Sequence, residues 1–261
     1  MRIAIVSDIH GDRRALARVI ADLDNREPVD EVLVGGDIAQ GGAQPGQVVD
    51  EIRSRGWPAV RGNADDLLVR IAGGMPAAEA LRYGQAAHGP AASETAARAE
   101  RTALALDAEQ IDYLARLPTA LRRPLPGGDL VLVHATPWST EDVILPDAEE
   151  EAAARMVREA GARLVLYGHI HTPYIRPVGE GWLGSVGAVG GSNDADPRPA
   201  YTIVESSPED ITIEVRRVDW PVEDRYRDYD QELVDRSYIR AEPGPLPVRS
   251  QAGRPLLLWQ V

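Results

Sequence analysis

The chain has no cysteine, which excludes disulfides and thiolate metal sites and leaves nitrogen and oxygen as ligands for any metal. Phenylalanine is missing too, and all 28 of the Lys plus Arg residues are Arg; we read this as biased codon usage, not function. No apolar run approaches the ~18 residues of a membrane span. The opening MRIAIVSD has one Arg and then a strand-like run holding an Asp, unlike a secretory leader. A cytoplasmic location is therefore the default expectation. Positive charge is scarce as well: the formal net charge of −13 argues against partnership with a nucleic-acid duplex or an anionic membrane. Hydrophobic content of 44% and charged content of 26% are ordinary for a globular protein, and 261 residues suffice for one large domain or two small ones. Histidine is the last scarcity. There are five, yet two stand one residue apart in LVLYGHIHTP (164–173), straight after an apolar run.

The first third alternates strand and helix. RIAIVSD (2–8) and DEVLVGGD (30–37) read as buried strands, and WPAVRGN (57–63) as a third. Between them, Leu16, Val19, Ile20 and Leu23 recur at helical spacing behind Asp12 as N-cap, and PGQVVDEIRSRG (45–56) forms a helix stopped by Gly56. This order favours a largely parallel sheet covered by helices. Residues 64–125 break the alternation as an Ala-rich helical insertion expected over the sheet ends, with a capping box at Asp107 and Gln110. The alternation resumes with strands at 128–137 and 163–169 around a helix at 147–161, for which Asp147 and Glu150 predict a second capping box. Short β segments follow, including a hairpin of YTIVE (201–205) and ITIEVRRV (211–218) joined through SSPED. In the charged, Pro-containing tail, a helix is expected near residues 229–239, and the apolar 255–261 is expected to dock on the body.

The predicted strand ends carry the chemistry. The first delivers Asp8 and His10, the second Asp37, the third Asn63, the fourth His134, and the fifth His169 and His171. In open α/β sheets functional groups collect at the carboxyl ends of strands. Residues i and i+2 of an extended chain point the same way, so each closely spaced pair can face a common point. Carboxylate, imidazole and amide oxygen suit manganese, iron or zinc. Seven ligands are too many for one tetrahedral ion and fit two ions that share a carboxylate, the usual clamp for displacement at phosphorus, about 4 Å across.

The series SDIHGD, GGDIAQGG, RGNAD, VLVHATP, YGHIHTP and GSVG resembles the calcineurin-like metallophosphoesterase superfamily, and most closely its small bacterial phosphodiesterases with a GN-small-D motif. The motifs run from residue 7 to about 187. The resemblance implies an α/β fold: a four-layer αββα sandwich of two mixed sheets, with the helical insertion over the active-site face. Residues 1–218 would form that domain, and 219–261 an extension packed on it. By residue, it implies Asp8, His10 and His171 around one ion, Asn63, His134 and His169 around the other, and Asp37 between them. Two divalent ions, manganese first with iron, zinc or nickel also compatible, would share the hydroxide that attacks phosphorus. Asp37, Asn63 and His134 are thus the expected catalytic residues. Two divalent ions less two carboxylates leave the site positive, so an acidic chain can still draw in an anionic substrate.

One departure stands out. Many members read GNH, with a histidine placed to protonate the leaving oxygen; here the sequence is Gly62-Asn63-Ala64-Asp65. A positioned general acid is worth roughly 10²–10⁴-fold, so its loss predicts a preference for good leaving groups. Candidate substrate-binding residues are Asp12, Asn63, His88 and Trp138. Asp12 is first an N-cap. His88 either returns a proton donor from the insertion or is a surface histidine, the commoner role. Trp138 either stacks a nucleobase or wedges its own loop. The expected function is a phosphodiesterase acting on a small or nucleotide phosphoester. A phosphomonoesterase or protein phosphatase on the same site, and a non-catalytic metal-binding scaffold, are the alternatives.

Overall fold

The computed structural model describes residues 1–83 and 90–220, with residues 90–92 described by backbone alone. Two mixed sheets pack face to face between helices. The first sheet has the order β2-β1-β8-β9, from β1 (Arg2–Val6), β2 (Glu31–Val34), β8 (Ala200–Ser206) and β9 (Ile211–Arg217). β1 runs parallel to β2 and antiparallel to β8. The second has the order β3-β4-β5-β7-β6, from β3 (Ala120–Arg123), β4 (Leu130–Val133), β5 (Leu164–Tyr167), β6 (Tyr174–Val178) and β7 (Gly181–Ser185). There β4, β5 and β7 are parallel and the edges antiparallel.

Alternation along the strands explains the layers. Ile3 and Ile5 of β1 point into the inter-sheet core with Leu33, Leu130, Leu132, Leu164, Leu166 and Val204. Ala4 and Val6 face the other way, onto Leu16, Val19 and Ile20 of α1 (Arg13–Asp24) and Val48, Val49 and Ile52 of α2 (Pro45–Arg55). Val131, Val133, Val165 and Tyr167 meet α7 (Glu150–Ala160) through Ala153, Met156 and Ala160. Strands buried on both faces read as continuous apolar runs, which is why IAIV, LVLV and LVLY show no alternation.

The insertion is helical over α3 (Asn63–Ala72), α4 (Ala77–Tyr83), α5 (Pro90–Ala105) and α6 (Ala108–Arg116). Leu67, Ala80, Leu81, Ala96 and Ala99 form its small core, and Ala103, Leu106 and Leu114 join it to the helical layer over the first sheet. It is not helical to residue 125. Residues 120–123 are an edge strand, disguised in sequence by Arg122 and Arg123, which are tied down by Asp129 at 2.6 Å and Glu31 at 2.7 Å.

Two further local expectations need correction. Residues 57–63 make one parallel bridge, Val34 to Ala59, and no strand. Pro58 lacks an N–H to extend the ladder, and the chain turns into α3 at Asn63. The capping box of α6 forms as expected, with Gln110 N to Asp107 Oδ1 at 2.8 Å. That of α7 does not: the N-cap is Glu149 without a side-chain bond. Arg176 takes over this helix start, donating to Ala148 O at 2.8 Å and to Glu150 Oε2 at 2.6 Å. The expected helix near 229–239 and the apolar 255–261 lie outside the described residues. Among the described residues, no helix is long and apolar enough to cross a membrane.

Leu166 is fully buried between the sheets, whereas Leu104 on α5 is 81% exposed. Leu166→Ala should cost about 2–5 kcal/mol in denaturant unfolding, and Leu104→Ala less than about 0.5 kcal/mol. Equal costs would contradict the layer assignment.

Candidate metal centre

All seven residues singled out at strand ends meet at one end of the two sheets. β1 and β2 stop at Val6 and Val34, and β4 and β5 at Val133 and Tyr167. The loops beyond continue the pairing without strand geometry: Asp8 N donates to Gly36 O at 3.0 Å, His10 N to Asp37 O at 2.9 Å, and Gly168 N to His134 O at 2.9 Å. His169 N joins the two sheets by donating to both Asp8 carboxylate oxygens at 3.1 Å.

The ligand pairs are not extended chain, as their i, i+2 spacing suggested. Asp8, His10, Asp37, His169 and His171 all have φ between 52° and 63°, and Ala195 is the sixth described non-glycine residue with positive φ. Left-handed backbone in such residues costs about 1–3 kcal/mol and collects at functional sites. It turns each side chain off the strand axis toward the space between the sheet ends. Close packing there requires glycine: a Cβ on Gly62 would overlap the Asp37 carboxylate, and one on Gly168 the Asp8 carboxylate and Ser7 hydroxyl.

Every imidazole is aimed by a backbone carbonyl. His10 Nδ1 lies 2.7 Å from Gln40 O, His134 Nδ1 2.8 Å from Gly35 O, and His171 Nδ1 2.6 Å from Gly191 O. A carbonyl only accepts, so each Nδ1 keeps its proton and each Nε2 turns a lone pair inward. His169 is reversed: its Nε2 lies 3.2 Å from Glu141 O, and its Nδ1 points inward, 3.1 Å from Asn63 Oδ1.

The inward atoms are acceptors facing acceptors. His10 Nε2 and His171 Nε2 are 3.1 Å apart. Asp37 spans the two halves, with Oδ2 at 3.5 Å from His10 Nε2 and Oδ1 at 3.4 Å from His134 Nε2. Asp8 Oδ1 lies 3.3 Å from His171 Nε2, and Asn63 Oδ1 2.9 Å from His134 Nε2. Asp8 and Asp37 are buried, and among the described residues their ion pairs are with histidines. Buried carboxylates ringed by lone pairs are costly unless a cation sits among them. The donor set fits divalent ions. Asp8 with His10 and His171, and Asp37 with Asp8 and His134, each bring ligand atoms within 4.8 Å of one another.

The electrostatics agree. Burial would raise the Asp8 carboxyl, but His171, His134 and His10 hold it far below the usual carboxylate range. Burial keeps His10 and His169 below the usual histidine range, favouring the neutral ring a metal requires. For His134 and His171 the carboxylates outweigh burial and the shift is upward.

The remaining candidates lie differently. Asp12 caps α1, its Oδ1 accepting from Ala15 N at 2.9 Å. Trp138 is half-buried against the α7 layer, donates from Nε1 to Asp142 at 2.7 Å, and carries the Arg155 guanidinium 3.8 Å above its ring. That contact occupies one ring face and matches the loop wedge better than a base-stacking platform. His88 lies outside the described residues.

Asp65 received no role from sequence, yet it builds the site. It is completely buried and accepts from Asp37 N at 2.9 Å, Ile38 N at 2.9 Å and Gly62 N at 3.0 Å. It thereby clamps the Asp37 loop to the start of α3, while Ala64 N donates to Asp37 Oδ1 at 2.8 Å. Burial and the Asp37 carboxylate push Asp65 up to about 7, against the N–H groups that favour its charged form. Its place three residues after Gly62, at a helix start, was the available signal.

Two outcomes follow. Chelation should lower the melting temperature, and Mn²⁺ at a hundredfold excess over Kd should restore about 2.7 kcal/mol per site; a melting curve indifferent to both would count against a cation site. Asp65→Ala leaves three buried N–H groups unpaired, at about 1–3 kcal/mol each. Denaturant unfolding should register that loss, and unchanged stability would remove the clamp.

Comparison with known proteins accords with this geometry. Residues 1–208 match the calcineurin-like phosphoesterase superfamily domain. An uncharacterized protein of Methanocaldococcus jannaschii is 27% identical over 241 residues, covering 86% of this chain and 90% of its own. The crystal structure of a metallophosphoesterase from Sphaerobacter thermophilus is similar at TM-score 0.67 and 26% identity, over 90% of this chain and 98% of that one. A hypothetical protein from Pyrococcus horikoshii OT3 shares the fold at TM-score 0.75 and 18% identity, over 91% and 97% of the two chains. With the family's domain covering residues 1–208, the chain belongs to the calcineurin-like phosphoesterase superfamily.

Proposed function

We propose that this protein is a two-metal phosphodiesterase acting on a small or nucleotide phosphoester with a good leaving group. The observation that carries the reading is Asp37, buried between His10 on one side and His134 on the other, with one carboxylate oxygen toward each. One carboxylate between two imidazole groups is what a pair of ions needs as a bridge. Asp8, His10 and His171 would complete one ion's set, and Asn63, His134 and His169 the other's. Divalent ions bound there supply the Lewis acidity and the activated water of phosphoester hydrolysis.

The chain's own part is positional. The carbonyls of Gln40, Gly35, Gly191 and Glu141 hold the outward ring protons, so the rings cannot turn away when substrate enters. Asp65 and the Ala64 N–H fix Asp37. Ala64 itself brings only a methyl group to the position where many relatives carry histidine, so the departing oxygen receives no proton from it. An aryl or nucleotide diester, or a phosphoanhydride, departs without that help. The formal net charge of −13 supports a small substrate over a nucleic-acid duplex.

The test is Mn²⁺-supplemented hydrolysis of bis(4-nitrophenyl) phosphate against 4-nitrophenyl phosphate, with a series of diesters of rising leaving-group pKa. Diester turnover should exceed monoester turnover, and kcat should fall by roughly 10²-fold or more toward alkyl leaving groups. Monoester preference would favour the phosphomonoesterase or protein-phosphatase reading, and a flat series would restore a hidden general acid. Bound metal with turnover of neither substrate would favour a scaffold.

A further inference from the structure

Ala195 has the one described left-handed non-glycine backbone that does not belong to a strand-end ligand, with φ of 69°. It lies in the segment 190–196 that follows β7. This segment touches the centre on the side of Asp8 and His171. Val189 N donates to Ser7 O at 2.9 Å and Gly190 N to Asp8 O at 2.8 Å, fixing it to the end of β1. Gly191 O takes the His171 Nδ1 proton at 2.6 Å. Asn193 N donates to His171 O at 3.1 Å, Ser192 Oγ to the same oxygen at 3.2 Å, and Asn193 Nδ2 to Ile170 O at 3.1 Å. His171 is thus held through its ring and its carbonyl by one short loop.

That loop is held in turn by Arg217, the last residue of β9. Arg217 is a buried arginine, its side chain only 6% exposed, and it pairs with the equally buried Asp194. Its Nη1 donates to Ser192 Oγ at 2.7 Å, Arg198 O at 3.0 Å and Asp196 O at 3.2 Å. The left-handed turn at Ala195 lets both flanking carboxylates face arginines: Asp194 meets Arg217, and Asp196 meets Arg198 at 2.8 Å. A guanidinium is the side chain able to grip a carboxylate, a hydroxyl and two carbonyls at once.

We propose that Arg217 is a positioning residue for the ion site of Asp8, His10 and His171, acting through Ser192 and the Gly191 carbonyl to fix the His171 ring. The proposal rests on the two-ion reading above. It makes the edge strand of the first sheet part of the centre's support, although β9 contributes no ligand. The effect is one-sided, because His134 and His169 take their orientation from Gly35 and Glu141, on other loops. Outer-shell contacts of this kind commonly change metal affinity 10–100-fold.

The test is Mn²⁺ titration of the metal-stripped protein by calorimetry, for the wild type, Arg217→Met, Arg217→Lys and Asp194→Asn. Tyr201→Phe serves as a destabilised control, since it removes a bond to Asp22 of α1 and none of the Arg217 bonds. Melting curves and kcat against KM are recorded for each. The wild type should bind two ions. Arg217→Met and Asp194→Asn should keep one affinity and weaken the other by 10–100-fold, lowering kcat more than they raise KM. Arg217→Lys should fall between, and Tyr201→Phe should leave both affinities intact. Should Arg217→Met not fold, Asp194→Asn and Arg217→Lys carry the same test. Equal weakening of both ions, or two unchanged ions in folded variants, would overturn the role of Arg217. A wild type binding fewer than two ions would instead overturn the two-ion reading.

Discussion

The architecture turns on a repulsion. Two buried carboxylates, Asp8 and Asp37, and the inward nitrogens of His10, His134 and His171 point at one another across 3.1–3.5 Å, and His169 faces Asn63 Oδ1 at 3.1 Å. In a protein interior this arrangement is unfavourable unless positive charge enters. Much around it serves to hold these groups in place: left-handed backbone at five ligands, glycines without room for a Cβ, four carbonyls that fix the ring tautomers, and Asp65 saturated by three N–H groups. Stability is spent at the centre and recovered in the layers, where the central strands of both sheets are buried on both faces.

The fold places that repulsion where it can be used. Parallel strands in each sheet send their carboxyl ends in one direction, and the sheets pack so that the two sets of loops meet. The antiparallel strands at the margins contribute no ligands but brace the loops that do. Arg217 at the end of β9 is one such brace, and the segment 190–196 carries its hold to His171. A divalent pair in an otherwise acidic chain would create a local positive field, which reconciles an anionic substrate with a net charge of −13.

The candidate ligands were legible because they are chemistry-bearing residues at the ends of unusually apolar runs: LVLY before GHIH, LVLV before His134, AIV before SDIH. The division into two sheets came mainly from the family resemblance, which put the second sheet at roughly 182–218; β8 and β9 instead extend the first sheet, and the second is built on β4 and β5. Its edge strands ALRR and YIRPV carry arginines and a proline, and their exposure gives no pattern to read. The supposed strand at 57–63 failed because Pro58 ends the ladder and Gly62 starts a helix. The i, i+2 spacing implied extended chain, whereas φ near 55° at these residues is invisible to a pattern of side chains. Asp65 and Arg217 were missed because their partners are brought from elsewhere in the chain, and such pairings emerge only on folding.

The most direct test is anomalous diffraction from crystals grown with Mn²⁺. The account predicts two peaks per chain sharing the Asp37 carboxylate, one against Nε2 of His10 and His171, the other against Nε2 of His134 and the reversed Nδ1 of His169. A single peak, or peaks away from Asp37, would contradict it.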